Sequence, residues 1–463
     1  MPFLDLPIDI LAIIIDDLDI PEWIALLKTC RVLHAAVERY GWRSRLMRSP
    51  RDTRSTFKAL SEWCAFEQVK YHVMTDKAWA RRRLAAFALC HPWKGRLQPV
   101  LAINNSMLVV AAGHILYSYI FARRAAEGDA PPVRAECTYL LGSTHGDVTA
   151  LVFVPDGGGE RTVFAGYTDG LLERIELPRP TCDEKQVSLI DLGPPIRTKY
   201  YHHFGDLIEA LSYERDGLLS FTSSGSSALF QPSTSTITST LTLANARGWS
   251  AYNAGPYAAF GTASDDPLVV YDITPSGLST SPLATLSPLP NDSRGPLRLA
   301  VYGISRAPSC APWGASSQTL LSGWYDGFVH LHDLRTPLFH PTLSFYDPWQ
   351  YEPVYAVGGA GPHVAAGAAR HSVVAFWDAR APRGAGWSVH APGNDPSPVY
   401  ALALEDGRLF GATQSRAFAL DFGPGVRMST YPHVDVVGGF KDPWAKNGVG
   451  HRVTKYGHET GLL

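Results

Sequence analysis

At 463 residues the chain is too long for one ordinary hydrophobic core, so it divides into domains or into a repeat array. Charged residues are only 18% against 45% hydrophobic, and 41 glycines with 35 prolines call for many turns, which favours an all-β body over a helical one. Lys and Arg number 41 against 43 Asp and Glu, a net charge of -2 that excludes a global field drawing the protein to nucleic acid or to an anionic membrane.

The chain opens with an apolar run, Ile8 to Ile15, that lacks a basic lead-in and is flanked by Asp5, Asp9, Asp16 and Asp17. It does not read as a signal peptide, and no stretch reaches the roughly 18 apolar residues of a spanning helix. Cys30, Cys64, Cys90, Cys137, Cys182 and Cys310 are widely spaced, with no C-x-x-C pair and no Cys/His cluster. A reducing compartment, cytosol or nucleus, is the expectation, with no metal site.

Residues 1–50 read as helical. Pro7 can open a first helix carrying Ile10, Leu11, Ile14, Ile15 and Leu18 at three- and four-residue spacing. Asp19-Ile20-Pro21-Glu22 is a capping-box start for a second, and Leu26, Leu27, Val32, Leu33 and Val37 continue the apolar stripe. The first helix is apolar nearly all round, since Ile8 and Ile13 lie off the stripe, so a covering partner is expected. Leu6-Pro7-Ile8-Asp9-Ile10-Leu11, the Leu-rich middle, Cys30-Arg31 and Trp42 together resemble the F-box pattern over roughly the first 45 residues, with Asp9 where Glu is usual. The resemblance implies a three-helix module docking onto the Skp-type linker of a cullin-RING ubiquitin ligase. Leu6, Pro7, Ile10, Leu11 and Ile14 would lie on or beside that interface, and Leu26, Cys30 and Leu33 would mainly pack the module.

Residues 51–95 read as a helical linker holding Phe57, Leu60, Trp63, Cys64, Phe66, Val69, Trp79, Leu84, Phe87 and Leu89, with Arg81-Arg82-Arg83 as a solvated face. From residue 96 the texture becomes short apolar runs punctuated by Gly, Asp, Ser and Pro. Pro353-Val354-Tyr355-Ala356 recurs 45 residues later as Pro398-Val399-Tyr400-Ala401, about one four-stranded propeller blade. Seven hairpins follow, near Leu108 to Ile120, Val163 to Leu177, Leu218 to Phe230, Tyr257 to Ile273, Leu320 to Leu334, His363 to Trp377 and Arg408 to Phe422. A further strand precedes each. Trp377-Asp378, the substitutes Tyr271-Asp272, His332-Asp333 and Leu420-Asp421, and the pair His145 and Asp169-Gly170 resemble WD repeats, whose His and turn Asp hydrogen-bond within a blade. Val426 to His433 is the candidate for the strand that closes the ring.

No dinucleotide, Walker, G-x-S-x-G or H-E-x-x-H motif occurs. Gly157-Gly158-Gly159 reads as a hairpin tip, and Tyr200-Tyr201-His202-His203 as a surface loop rather than a metal site, because adjacent His residues on an extended strand face opposite ways. The expected site is a binding face gathering Tyr167, Trp324, Tyr325, Arg370, Gln414 and Arg416 from the turns, with Tyr355 and Tyr400 at inner-strand starts and Phe345, Tyr346, Trp349 and Tyr351 beside them. Arg370 and Arg416 would suit a phosphorylated or acidic peptide.

The resulting expectation is a mainly β chain: a seven-bladed WD-type β-propeller (96–435) preceded by a small all-α F-box (1–50) and helical linker (51–95), with a tail over 436–463. The implied role is a non-catalytic adaptor of an SCF-type ligase that joins a linker and cullin-RING scaffold to a target protein, without cofactor, nucleic acid or membrane. The alternative is a propeller scaffold for an assembly unrelated to ubiquitin.

Overall fold

The computed structural model describes residues 6–142, 144–179, 193–203, 205–287, 299–309, 316–336, 340–381, 386–393, 396–434 and 449–458. Cys182, Cys310 and the tail positions 436–448 and 459–463 lie outside the described residues.

Helices lead. α1 (Ile8–Asp17) starts after Pro7, and α2 (Ile20–Leu27) has Pro21 in its first turn, where a missing N–H is harmless. The Glu22 carboxylate accepts the Asp19 N–H at 2.7 Å, as the capping-box pattern predicts. α3 (Arg31–Ala36), a π-helical turn (Val37–Gly41) and α4 (Trp42–Arg48) run on without a break. The core they enclose holds Ile15, Trp23, Val37 and Trp42, with the two indoles edge to face at 5.2 Å. Gly41 sits where a Cβ would come within 3.2 Å of the Ile15 side chain, so α1 packs tightly over the π turn. α5 (Arg54–Ser61) and α6 (Ala65–Ala80) follow, and α6 completes this core through Val69.

The rest is a seven-bladed β-propeller of antiparallel sheets. Blade one spans Val100–Ile103, Met107–Ala112, Ile115–Phe121 and Val133–Leu140; blade two spans Val148–Phe153, Thr162–Tyr167, Leu171–Glu176 and Ile196–His202. Blade three spans Ile208–Glu214, Gly217–Thr222, Ser226–Gln231 and Thr236–Thr242. Blade four is Arg247–Asn253, Tyr257–Ala263 and Leu268–Thr274, with short outer pieces at Gly277–Leu278 and Ala284–Leu286. Blade five is Val301–Arg306, Thr319–Trp324, Val329–Asp333 and Leu343–Phe345; blade six is Val354–Ala360, His363–Ala368, Val373–Asp378 and Trp387–His390. Blade seven takes Val399–Leu404, Arg408–Thr413 and Ala417–Asp421. All seven predicted hairpins are the second and third strands of a blade.

No single blade can bury both faces of its sheet, and the core is accordingly cut into slabs between neighbours. Each of the seven junctions has its own apolar cluster, from Val109 against Val163 between blades one and two round to Val110 against Phe410 between seven and one.

Ring closure corrects the sequence reading. The outer strand of blade seven is Ala85–Ala88, pairing antiparallel with Ala417–Asp421, so it comes from the stretch expected to be helical linker. Val426 to His433 supplies no strand and includes only a 3-10 turn at Met428–Thr430. A strand drawn from the far end of the domain completes the last sheet and locks the circle. Part of the expected tail is also built in: Lys455–Gly457 adds a fifth strand to blade six, and His451 bridges to Ala86.

The helices are fastened to one face of the disc. Trp79 of α6 lies between Phe422 (ring centroids 3.5 Å) and His363 (4.0 Å) and donates its indole N–H to the Asp406 carbonyl at 2.8 Å. Arg51 spans Asp76 (2.8 Å) and Asp406 (2.7 Å), and the Ser55 hydroxyl donates to the fully buried Glu405 at 2.5 Å. Truncating Trp79 to Ala is expected to cost about 3–5 kcal/mol, because the slot between two rings cannot collapse. Urea unfolding would read that loss, and proteolysis after Arg81 to Arg83 would accelerate.

Candidate recognition face

Backbone hydrogen bonds define the face opposite the helices. The turn between second and third strands of a blade donates to the residue just ahead of that blade's inner strand: Thr168 N to Asp147 O (3.1 Å), Ser223 N to Leu207 O (2.8 Å), Tyr325 N to Ala300 O (2.9 Å), Ala369 N to Pro353 O (2.9 Å) and Gln414 N to Pro398 O (3.2 Å). Turn residues and inner-strand starts therefore share one surface. The helices instead touch Asp406, Ser106 and His363, which lie at the other ends of these strands.

Six inner strands carry a register shift after their first or second residue, leaving Thr149, Glu209, Trp249, Tyr302, Tyr355 and Tyr400 bulged at equivalent positions. A bulge adds twist and re-aims the unpaired side chain, which is how a sheet presents a residue at its rim. On blades four to seven the bulged residue is aromatic and the rings touch in sequence: Trp249 to Tyr302 at 4.8 Å, Tyr302 to Tyr355 at 5.1 Å and Tyr355 to Tyr400 at 5.4 Å. Arg247 stacks on Trp249 at 4.3 Å and pairs with Glu209. Burial pushes the phenols of Tyr302, Tyr355 and Tyr400 above their usual range, so all three remain neutral donors at physiological pH. Tyr325 (48% exposed) lies beside this arc, its ring 6.3 Å from Tyr302, and its Gly327 turn lies against the backbone of residues 350–352, in the loop that exposes Trp349 (60%) and Tyr351 (79%). So much exposed aromatic surface beside a half-buried arc marks an interaction site.

The expected face residues separate. Tyr325 is on the surface, and Arg370 is exposed with its guanidinium 3.3 Å from Glu352. Gln414 is half-buried at its turn. Tyr167 and Trp324 are corrections, for both are fully buried. The Tyr167 hydroxyl donates to Glu173 at 2.7 Å, and the Trp324 indole N–H donates to Ser322 at 2.7 Å, beside His332 at 3.0 Å from the same hydroxyl. Both fill junctions between blades, because they end second strands whose side chains alternate into the slabs. Arg416 is a third correction: it is buried, with its guanidinium against Gly393. The expected Arg370 and Arg416 anion site therefore does not form, one being shared with a carboxylate and the other covered. Trp249, Tyr302 and Arg247 join the face without being among the expected residues; the sequence signal for Tyr302 is Val301-Tyr302, which repeats the Val-Tyr of the two Pro-Val-Tyr-Ala copies.

His145 Nδ1 lies 2.8 Å from Asp169, the blade-fixing pair expected in blade two. Burial works against the charged form of Asp169, but the Leu171 N–H and the His145 ring outweigh it and hold the carboxyl below its usual range. Tyr200 to His202 end the outer strand of blade two rather than forming a loop, and His203 bonds Ser220 at 2.9 Å. Among the described residues no group of three or more His, Cys, Asp or Glu is placed to hold a metal ion.

On the helices, Leu11 departs from its expected role. It is 2% exposed and belongs to the module's interior, since it faces the same side of α1 as Ile15. Pro7 and Ile10 are exposed, and Leu6 and Ile14 are partly covered. The most exposed isoleucine is Ile13, at 66%, and Ile8, Ile24 and Val32 are exposed as well.

No family model matches the sequence, and no curated protein matches it. Solved structures do resemble it. The structure of U3-55K superposes with a TM-score of 0.51 at 12% identity, over 73% of this chain and 98% of that one. The fold is that of a seven-bladed β-propeller. The crystal structure of RRP9 WD40 repeats gives 0.49 at 12% identity over 73% and 97%, and a computationally designed protein, Ika8, gives 0.47 at 13% over 73% and 99%. At such identities the likeness is one of fold alone.

Proposed function

We propose that the protein is a non-catalytic substrate-recognition adaptor of an SCF-type ubiquitin ligase, working in the cytosol or nucleus. The N-terminal helices dock a Skp-type linker, and the propeller face holds the target. The observation that carries this reading is the exposed apolar surface on α1 to α3, formed by Ile8, Ile10, Ile13, Ile24 and Val32. It occurs on the stretch whose Leu6-Pro7, Cys30-Arg31 and Trp42 follow the F-box pattern, and a partner chain would cover it. The division of faces supports the same reading. α5 and α6 grip one side of the disc through Trp79, Arg51 and Ser55 and leave the aromatic arc on the other side open. Such a protein accelerates modification by raising the effective concentration of target near the conjugating enzyme.

Removing the protein from cells is expected to raise the abundance of proteins that co-purify with its propeller face. Wild type should restore their turnover, and a chain carrying Ile13→Asp should not. Stable partners of unchanged abundance would support the scaffold alternative and overturn this reading.

A further inference from the structure

The aromatic arc has a spacing and a polarity that select a ligand class. Successive ring centroids from Trp249 to Tyr400 lie 4.8, 5.1 and 5.4 Å apart, so two steps come close to the ~9 Å turn of a polyproline II helix, three residues of about 3.1 Å each. Arg247 and Arg370 beside the arc each stand against a carboxylate, Glu209 and Glu352, which offsets their charge and leaves little net field for a strongly charged segment. What remains is partly exposed aromatic surface, its rings set edge to face at the first two contacts and stacked at the third, and hydrogen-bond donors: the neutral phenols of Tyr302, Tyr355 and Tyr400, and the covered Trp249 indole N–H and one terminal Arg247 nitrogen, neither of which has an acceptor among the described residues.

The complementary ligand presents apolar rings and carbonyl acceptors while lacking N–H donors. Proline is the residue that does so, and a proline-rich segment is already extended before it binds. We propose that the arc from Trp249 to Tyr400 binds a proline-rich segment of the target protein in the polyproline II conformation, its prolines seated on the tyrosine rings. Tyr325 borders the arc and, with Trp349 and Tyr351 of the loop packed on its turn, would contact the flanks of the segment. The inference rests on the propeller face being the target-binding surface.

The test titrates the full-length protein with a labelled peptide of about twelve residues built on Pro-Pro-x-Pro repeats, and with versions in which the prolines are Ala, or in which phosphoserine or Lys replaces the variable residue. The proline peptide should bind about tenfold or more tightly than its Ala version, and Tyr355→Ala should lose about tenfold in affinity. Tyr325→Ser, whose half-exposed side chain has little packing to lose, should weaken binding several-fold with an unchanged unfolding midpoint. Equal binding of the Ala peptide, a preference for the phosphoserine or Lys version, or no effect of either variant overturns the proposal. Linker binding is read on the same preparation. If the linker binds and the proline peptide does not, this inference alone fails; if the reverse holds, the ligase reading falls and the peptide site stands.

Discussion

Replacing Arg408 with Met is expected to destabilise the protein by about 3–5 kcal/mol, seen as a lower urea midpoint. Arg408 is fully buried at the foot of blade seven. Its Nε donates to Asp421 at 2.9 Å, one terminal nitrogen donates to the Pro131 carbonyl of blade one at 2.6 Å, and the other lies 3.5 Å from the Ser55 hydroxyl of α5. The Tyr431 hydroxyl donates to the same Asp421 oxygen at 2.6 Å. One guanidinium thus joins two blades to the helical stem across the point where the ring closes. Without it Asp421 is left as a buried carboxylate lacking its counter-ion, and the cost of that uncompensated charge sets the size of the effect. Arg408→Lys should recover only part of the loss, because a point charge cannot reach Asp421 and Pro131 together as the planar fork does. A loss below about 1 kcal/mol for Arg408→Met would contradict this account of the junction.

Acidification should unfold the propeller well before its carboxylates titrate. Burial pushes His330 down to about 3 and His363 to about 4, and it holds His332 well below the ordinary histidine range. In the unfolded chain each titrates near 6.5, so below that pH the unfolded state takes up protons that the folded state refuses. Stability from these groups is complete above their unfolded value and falls with pH at about 1.4 kcal/mol per unit for each His until the folded value is reached. Glu405 opposes this, because burial raises its carboxyl and the folded state binds that proton first as pH falls. The net expectation from pH 7 to 5 is a loss of several kcal/mol. His332→Asn should reduce the slope of stability against pH by about one proton. A flat profile over that range would contradict the burial of these rings as described.

How much of this was legible depends on what each strand had to bury. The second and third strands of every blade are covered on both sides and turned by Asp326-Gly327, Asp169-Gly170 and their equivalents, so their apolar runs and turns stand out. Outer strands carry no such constraint. Thr236–Thr242 is largely exposed and polar, and Val133–Leu140 mixes exposed and buried positions without a clean alternation, so periodicity gives them little signature. Ala85–Ala88 was hidden for another reason: it follows α6 directly and has the composition of a helix, and its partners lie more than three hundred residues away. Glycines near the ends of second strands mark the blade edges. Gly166, Gly323 and Gly367 near the ends of second strands are each met by the first inner-strand residue of the next blade, with a Cβ there falling 2.6, 2.7 and 2.8 Å from Ile208, Val354 and Val399.

The candidate site was legible as a surface but not residue by residue. Tyr355 and Tyr400 stack at 5.4 Å and Tyr325 lies 6.3 Å from Tyr302, because turn position and inner-strand start follow from blade topology. Tyr167 and Trp324 stand at similar sequence positions yet point inward, since strand alternation decides the side and is invisible in a turn motif. On α1 the helical period places Leu11 with Ile15 on the inside, while Ile8 and Ile13, off the expected stripe, are exposed together with Ile10, which is on it.

Mixing the purified full-length protein with a purified Skp-type linker and following the pair by size-exclusion chromatography tests the adaptor reading most directly. The account predicts a stable one-to-one complex that is lost with Ile13→Asp, while the unfolding midpoint of that variant stays at the wild-type value. Failure of the wild type to bind the linker, or undiminished binding by Ile13→Asp, would contradict it.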